Sequence, residues 1–396
     1  MVANAWLGLF LAFSLLQLSA CRNNDETEKK TADCGELPAL EYSKNLKVGT
    51  LCGEKVAEIR SVVGRDTLVK RFTFREAPQR VAALSSAQIG YMLRLGLESR
   101  IVGVGEGKYI ADSALYARIA AGEVAEVGSG STISLEKLVA LQPDLVMSFA
   151  TGGGHDDYER IEALKLPLML TSEWQEDSPL AKAEWIKLYG MMFGVEALAD
   201  SIFKEEVSLY ESALDPSATD LRSSAQDDTT PNSQNTLSSL VSRLSSKKCP
   251  RVLVGMSYGG VWYAPGGNSF TARLIKDAGG CYLWASDTSR GLQLTLEEIM
   301  KEADSADVWV NPGMFATPDE LLAAEPRIKY IKAFKEKRVC QNDGRKGPGG
   351  GNDFYESAVA YPAEMLQNLK GCIQKSTNGA DSGRTGFDWY HNIFIF

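Results

Sequence analysis

The sequence predicts an α/β protein of two Rossmann-like lobes joined by a single long helix. Three observations predict it: strand and helix signals alternate from Gln79 onward, the alternation restarts downstream at nearly constant spacing, and a long amphipathic run lies between the two halves. In the first half, Arg80 to Leu84 reads as a strand, Ser85 or Ser86 as an N-cap, and Ala87 to Leu95 as a helix stopped by Gly96. Ile101 to Val104 is the next strand, Ser134 to Leu141 a helix, Pro143 to Phe149 a strand, Glu159 to Leu164 a helix and Leu168 to Leu170 a strand. Short strands and helices in alternation mean a parallel sheet. In the second half, Arg251 follows Arg80 by 171 residues, Thr295 follows Ser134 by 161 and Ala306 follows Pro143 by 163, which predicts a second lobe of the same kind. Between them, Ser178-Pro179 opens a helix expected from Leu180 to Phe193. A second helix, Glu196 to Leu214, carries Leu198, Ile202, Leu209 and Ala213 on one expected face; at ~1.5 Å per residue it spans roughly 28 Å, enough to be the only connection between lobes.

Composition narrows the function classes. The 396 residues fill two to three domains at ~150 residues each. A net charge of −9 leaves no chain-wide basic surface for nucleic acid. The two histidines, His155 and His391, are too few and too far apart in sequence for a His-rich metal centre, and they disfavour a Ser-His-Asp hydrolase. Ala5 to Ala20 is uncharged but short for a bilayer and reads as a signal peptide, although its n-region carries no Lys or Arg. Leu18-Ser19-Ala20-Cys21 resembles a bacterial lipobox, which makes Cys21 the lipidated first residue of the mature chain and places it in the cell envelope as a periplasmic or surface lipoprotein. Six further cysteines (Cys34, Cys52, Cys249, Cys281, Cys340 and Cys372) have no Cys-x-x-Cys spacing, so structural zinc is disfavoured while disulfide pairings stay open.

The expected organisation is a signal peptide over 1–20, tether and N-terminal extension over 21–76, an N-terminal lobe over 77–177 and connecting helices over 178–214. A Ser-rich disordered insertion over 215–248, a C-terminal lobe over 249–373 and a tail over 374–396 complete it.

Ser134 to Val146, Glu173-Trp174 with Ala183 to Lys187, Gly267-Asn268-Ser269, and Gly350 to Glu356, in that order, resemble the class III substrate-binding proteins of ABC importers. The resemblance covers roughly Gln79 to Leu369. It implies reversible capture of a ferric siderophore, haem or cobalamin in an inter-lobe cleft and delivery to a membrane permease, with no enzymatic activity, resident cofactor or metal. Strand C-terminal loops line such crevices. The expected ligand-binding residues are Ser85, Ser86, Lys108, Tyr109, Gly153, His155, Glu173, Trp174, Tyr258, Trp262, Asp287, Asp353, Phe354 and Tyr355. Tyr258, Trp262, Trp174 and Phe354 stand out because each sits beside Gly or polar loop residues, and aromatic faces suit flat or aromatic ligands. The resemblance also implies that Glu136 and Glu297, one per lobe, dock to permease arginines, although an acid in a first helical turn also serves the helix dipole. Gly344 to Gly351 matches no phosphate-binding motif and reads as a flexible loop carrying solvated Arg345 and Lys346. Two alternatives remain: a tetrapyrrole metal chelatase using His155 with Asp156 and Asp157, and a surface haem scavenger that needs no permease.

Overall fold

The computed structural model describes residues 35–129, 132–153, 156–214, 249–378 and 389–394. Cys21, His155 and the insertion 215–248 lie outside the described residues. The N-terminal lobe is a parallel sheet in the order Leu168–Leu170, Leu145–Ser148, Val81–Ala83, Ile101–Val104, Ala125–Glu126. The C-terminal lobe has a second sheet in the order Cys281–Tyr282, Arg251–Val254, Val308–Val310, Val339–Gln341, with His391–Asn392 added antiparallel at the edge. In the N-terminal lobe the second and third strands in chain order lie on one side of the first and the fourth and fifth on the other; in the C-terminal lobe the second lies alone on one side and the later strands on the other. The winding therefore reverses between Val81–Ala83 and Leu145–Ser148, and again between Arg251–Val254 and Val308–Val310. Open α/β sheets bind ligands beyond the strand C-termini at such reversals.

Alternation within each strand sends neighbouring side chains to opposite faces, and both faces are buried. Val252, Val254, Val308 and Val310 belong to one core, whereas Leu253, Trp309 and Val339 belong to another. This is why the strands read as continuous apolar runs. Disulfides join Cys249 to Cys281, linking two neighbouring strands, and Cys340 to Cys372, linking the sheet to the last helix.

The connection between lobes departs from the expectation. Two helices, Pro179–Ala183 and Ile186–Phe193, replace the single one, because the break at Glu184 frees its carboxylate to accept the Glu41, Tyr42 and Ser43 amides at 3.2, 2.8 and 2.9 Å. The long helix Glu196–Leu214 stands as expected, but its buried face is Ala199, Phe203, Glu206 and Tyr210. Leu198 and Leu209 are exposed. Burying two aromatics one heptad apart outweighs the leucine stripe, and it lets one helix serve both cores: Ala199 and Phe203 in the N-terminal lobe, Tyr210 in the C-terminal lobe.

Two expected boundaries also move. Within the extension, Leu46–Leu51, Glu54–Val63 and Asp66–Phe74 form an antiparallel meander whose Leu46, Ala57 and Ile59 enter the N-terminal core, so this part is folded structure rather than tether. The last helix, Pro362–Asn378, runs through the expected start of the tail at 374. The tail's aromatic cluster gains a structural role: Trp389 is buried, and His391–Asn392 covers a sheet edge that would otherwise expose unpaired backbone.

Candidate ligand cleft

The C-terminal ends of the two sheets face each other. A Cβ at Gly351 would meet the Tyr109 carbonyl at 2.4 Å, one at Gly347 would meet Ala111 Cα at 2.4 Å, and one at Gly349 would meet the Tyr116 ring at 2.7 Å. The Gly344 to Gly351 stretch is therefore a close-packed seam against the opposite lobe rather than a flexible loop. Its cations are paired: Arg345 with Asp353 at 2.9 Å, and Lys346 with Asp343 at 2.6 Å. Lys182 bridges the lobes elsewhere, its ammonium 3.9 Å from the Phe270 ring centroid.

At the N-terminal reversal, Gln88 organises three strand ends. Its Oε1 accepts the Leu84 and Ser85 amides at 3.0 and 3.1 Å, while its Nε2 donates to the Ser148 carbonyl at 3.1 Å and to Thr171 Oγ1 at 2.9 Å. Ser85 caps the helix Ser86–Arg94, and both serines are half-buried at the crevice mouth. Phe149 and exposed Gly153 follow the neighbouring strand. There the meander's turn closes down, since a Cβ at Gly152 would lie 2.0 Å from the Gly64 amide nitrogen. Lys108 and Tyr109 are exposed, with Lys108 paired to Glu106 at 2.9 Å. Trp174 is also exposed.

At the C-terminal reversal, Tyr258 stacks on Phe315 at 6.1 Å, and its hydroxyl accepts the Met314 amide at 3.2 Å. Gln341 donates to the carbonyls of Gly313 and Phe315 at 2.8 Å each, so the Met314 backbone is pinned from both sides. The Met314 side chain is 92% exposed. Asp287 is half-buried and occupied, accepting the Ser289 amide at 2.8 Å; the hydrogen bonds from Ser289 hold its carboxyl below the usual range. Tyr355 is exposed, and Phe354 packs edge-to-face on Tyr355 and Tyr390, each at 5.5 Å.

Three expected ligand residues are corrected. Trp262 is fully buried, donates its indole N–H to the Val254 carbonyl at 2.9 Å and packs on Trp309 at 5.5 Å, so it belongs to the core. Glu173 is 2% exposed, and burial raises its carboxyl above the usual range. Asp353 is buried and accepts from Arg345, from Ser357 at 2.6 Å and from Trp389 at 2.8 Å, which makes it a structural hub. Sequence neighbours suggested loops for all three, but only burial separates a loop's inward side chains from its outward ones. Trp262→Phe is accordingly expected to lower stability by about 1–3 kcal/mol through the lost hydrogen bond and the void, with ligand affinity intact. Chemical denaturation alongside a ligand titration checks this, and weaker binding at unchanged stability would return Trp262 to the cleft.

The sequence reading missed Phe149 and Met314. Six exposed large apolar or aromatic side chains (Tyr109, Phe149, Trp174, Tyr258, Met314 and Tyr355) each follow a different sheet strand, three strands per lobe. Their common position after a strand was the signal that could have found the missing two.

The carboxylates of the chelatase alternative are engaged in holding loops. Asp156 accepts the Thr151 and Gly152 amides at 2.8 and 2.6 Å, and Asp157 accepts the Ile133 amide at 2.8 Å. On the outer rim, Glu136 and Glu297 occupy matching first turns, in the helices Leu135–Leu141 and Leu296–Glu302. Neither serves as a capping side chain: Ser134 caps the first helix, and Thr295 with Glu298 forms the capping box of the second. Glu297 stays exposed, 3.8 Å from Arg327.

Two α/β lobes are joined by one long helix that contributes to both cores, with loops beyond the strand C-termini of one lobe packed against the other. Residues 81–231 match the family described as periplasmic binding protein. An uncharacterized lipoprotein of Methanocaldococcus jannaschii is 23% identical over 303 residues, 73% of this chain; the match spans 64% of the relative's length. Among solved structures, an ABC-type Fe3+-hydroxamate transport system from Saccharomonospora viridis superposes with a TM-score of 0.52 at 19% identity, covering 84% of this chain and 98% of that one. A periplasmic haem-binding protein from Roseiflexus sp. RS-1 gives 0.53 at 17% identity, covering 76% and 99%. These likenesses establish the fold.

Proposed function

We propose that this protein captures an iron compound, a ferric siderophore or haem, in the crevice between its lobes and presents it to a membrane permease, held at the envelope through Cys21. The observation that carries this reading is the set of six exposed large side chains, one after each of six sheet strands. Large apolar side chains left exposed beyond strand C-termini favour a binding surface, and a flat or aromatic ligand between the lobes would bury them. The binding is non-covalent and draws on a largely preformed crevice. Its placement at the envelope is supported by the lipoprotein relative.

An absorption titration of the whole chain against haemin, ferric hydroxamates and cobalamin tests the cargo. Saturable one-to-one binding of haemin or a ferric hydroxamate is expected. Binding of cobalamin alone, or of none, overturns the iron reading. The permease reading predicts a separate result: Glu136→Lys with Glu297→Lys lowers uptake by cells at least ~10-fold while affinity in solution is unchanged, because rim charges act on the encounter with a partner. Uptake equal to that of the unmodified chain would favour a permease-independent scavenger.

A further inference from the structure

The lobes are held together by a contact that the crevice does not explain. The Glu356 carboxylate, from the C-terminal lobe, accepts the amides of Ala111 and Asp112 in the N-terminal lobe at 2.9 and 2.8 Å. The Glu356 backbone is equally close to the opposite lobe, since a Cβ at Gly90 would meet its carbonyl oxygen at 1.8 Å. Beside this contact lies a cavity of about 820 Å³ between the lobes. Around it, Arg94 contacts Tyr361 and Glu206, Arg345 contacts Asp353 and Glu364, Lys346 is paired with Asp343, and Asp112 caps its own helix. With its charges satisfied internally, the cavity is not a built ligand site.

We propose that Glu356 is the closure latch of the two lobes: it positions the Gly107 to Asp112 loop, and with it Lys108 and Tyr109, against the opposing lobe, and it makes lobe apposition depend on pH. The latch regulates the same crevice and so rests on the reading of that crevice as the ligand site.

The sign follows from where the carboxyl sits. Burial, with Asp353 and Asp112 nearby, pushes the apposed Glu356 up to about 7 against an ordinary value of 4.5. With the lobes parted, the carboxyl returns to water and to the ordinary value. Between pH ~4.5 and ~7 the apposed form thus holds a proton that the parted form does not, so acid favours apposition and base favours parting.

Hydrogen exchange of the Ala111 and Asp112 amides on the whole unliganded chain, corrected for intrinsic exchange, tests this without any ligand. In the unmodified chain, protection is expected to fall at least ~10-fold from pH 5.5 to pH 8.5. Glu356→Gln removes the titration while keeping one of the two acceptor oxygens, and is expected to flatten the profile at reduced protection, whereas Glu356→Ala is expected to lose protection at every pH. The amides of Val252 to Val254, in the C-terminal core, report global unfolding and should not change. An equal slope in the unmodified chain and Glu356→Gln, or full protection in Glu356→Ala, overturns the latch. Because no ligand enters, that failure leaves the ligand-binding reading standing, and failure of the titration leaves the latch standing.

Discussion

Glu184→Ala is expected to destabilise the protein by about 3–5 kcal/mol, the range found when one partner of a buried charged network is removed. Glu184 is fully buried, accepts three consecutive amides from the N-terminal extension and pairs with Lys187 at 2.9 Å. Its neighbour Glu176 repeats the device, accepting Ser43 Oγ at 2.6 Å, the Asn45 amide at 3.1 Å and the Trp185 indole at 3.0 Å. Truncation strands the Ser43 amide among buried groups and leaves Lys187 without its partner. The cost therefore includes desolvation as well as lost hydrogen bonds. Glu184→Gln keeps the shape and one acceptor oxygen and should lose roughly half as much. Denaturant unfolding measures both, and limited proteolysis should cut first within 35–80 in the alanine variant. Unfolding free energies within about 0.5 kcal/mol of the unmodified chain would show that the extension is not clamped through this carboxylate.

Phe149→Ala combined with Tyr258→Ala should weaken binding of the cargo by about 100- to 1,000-fold. Each residue follows a strand at the winding reversal of one lobe, so under the proposed function the pair would meet a ligand from both sides. A desolvated aromatic anchor is worth about 2 kcal/mol, and two acting together fall short of simple addition. Phe149→Ala should leave stability within about 0.5 kcal/mol, whereas Tyr258→Ala should cost about 1–2 kcal/mol through its lost stacking on Phe315 and the hydrogen bond from the Met314 amide. Haemin or ferric hydroxamate titration of the single and double variants separates the contributions. Unchanged affinity in the double variant would place the ligand elsewhere between the lobes.

Much of this architecture was legible in the sequence, because the strands and helices are set by local signals. Ser134 and Thr295 cap helices in corresponding places, Ile101–Val104 and Leu168–Leu170 are apolar runs bounded by turns, and Glu196–Leu214 is an amphipathic run. The repeated spacing then identified two lobes. Such signals depend on residues a few positions apart, so they survive without tertiary context.

The crevice lining was legible only as loops. Trp174 and Tyr258 face outward while Trp262 and Glu173 face inward, although all four share similar neighbours in sequence. What separates them is contact with distant segments: Trp262 with Val254 and Trp309, and Tyr258 with the pinned backbone of Met314. The rotation of the long helix was likewise decided by two cores, each demanding an aromatic, and the break at Glu184 by an extension some 140 residues earlier. The sequence by itself determined two sheets, their order along the chain and the helix between them, because those rest on local periodicity and capping. Only the tertiary structure decided which loop side chains reach the crevice, how the Gly347 to Gly351 seam closes on the opposite lobe, and that Glu356 joins the lobes, because burial and long-range hydrogen bonds depend on segments hundreds of residues apart.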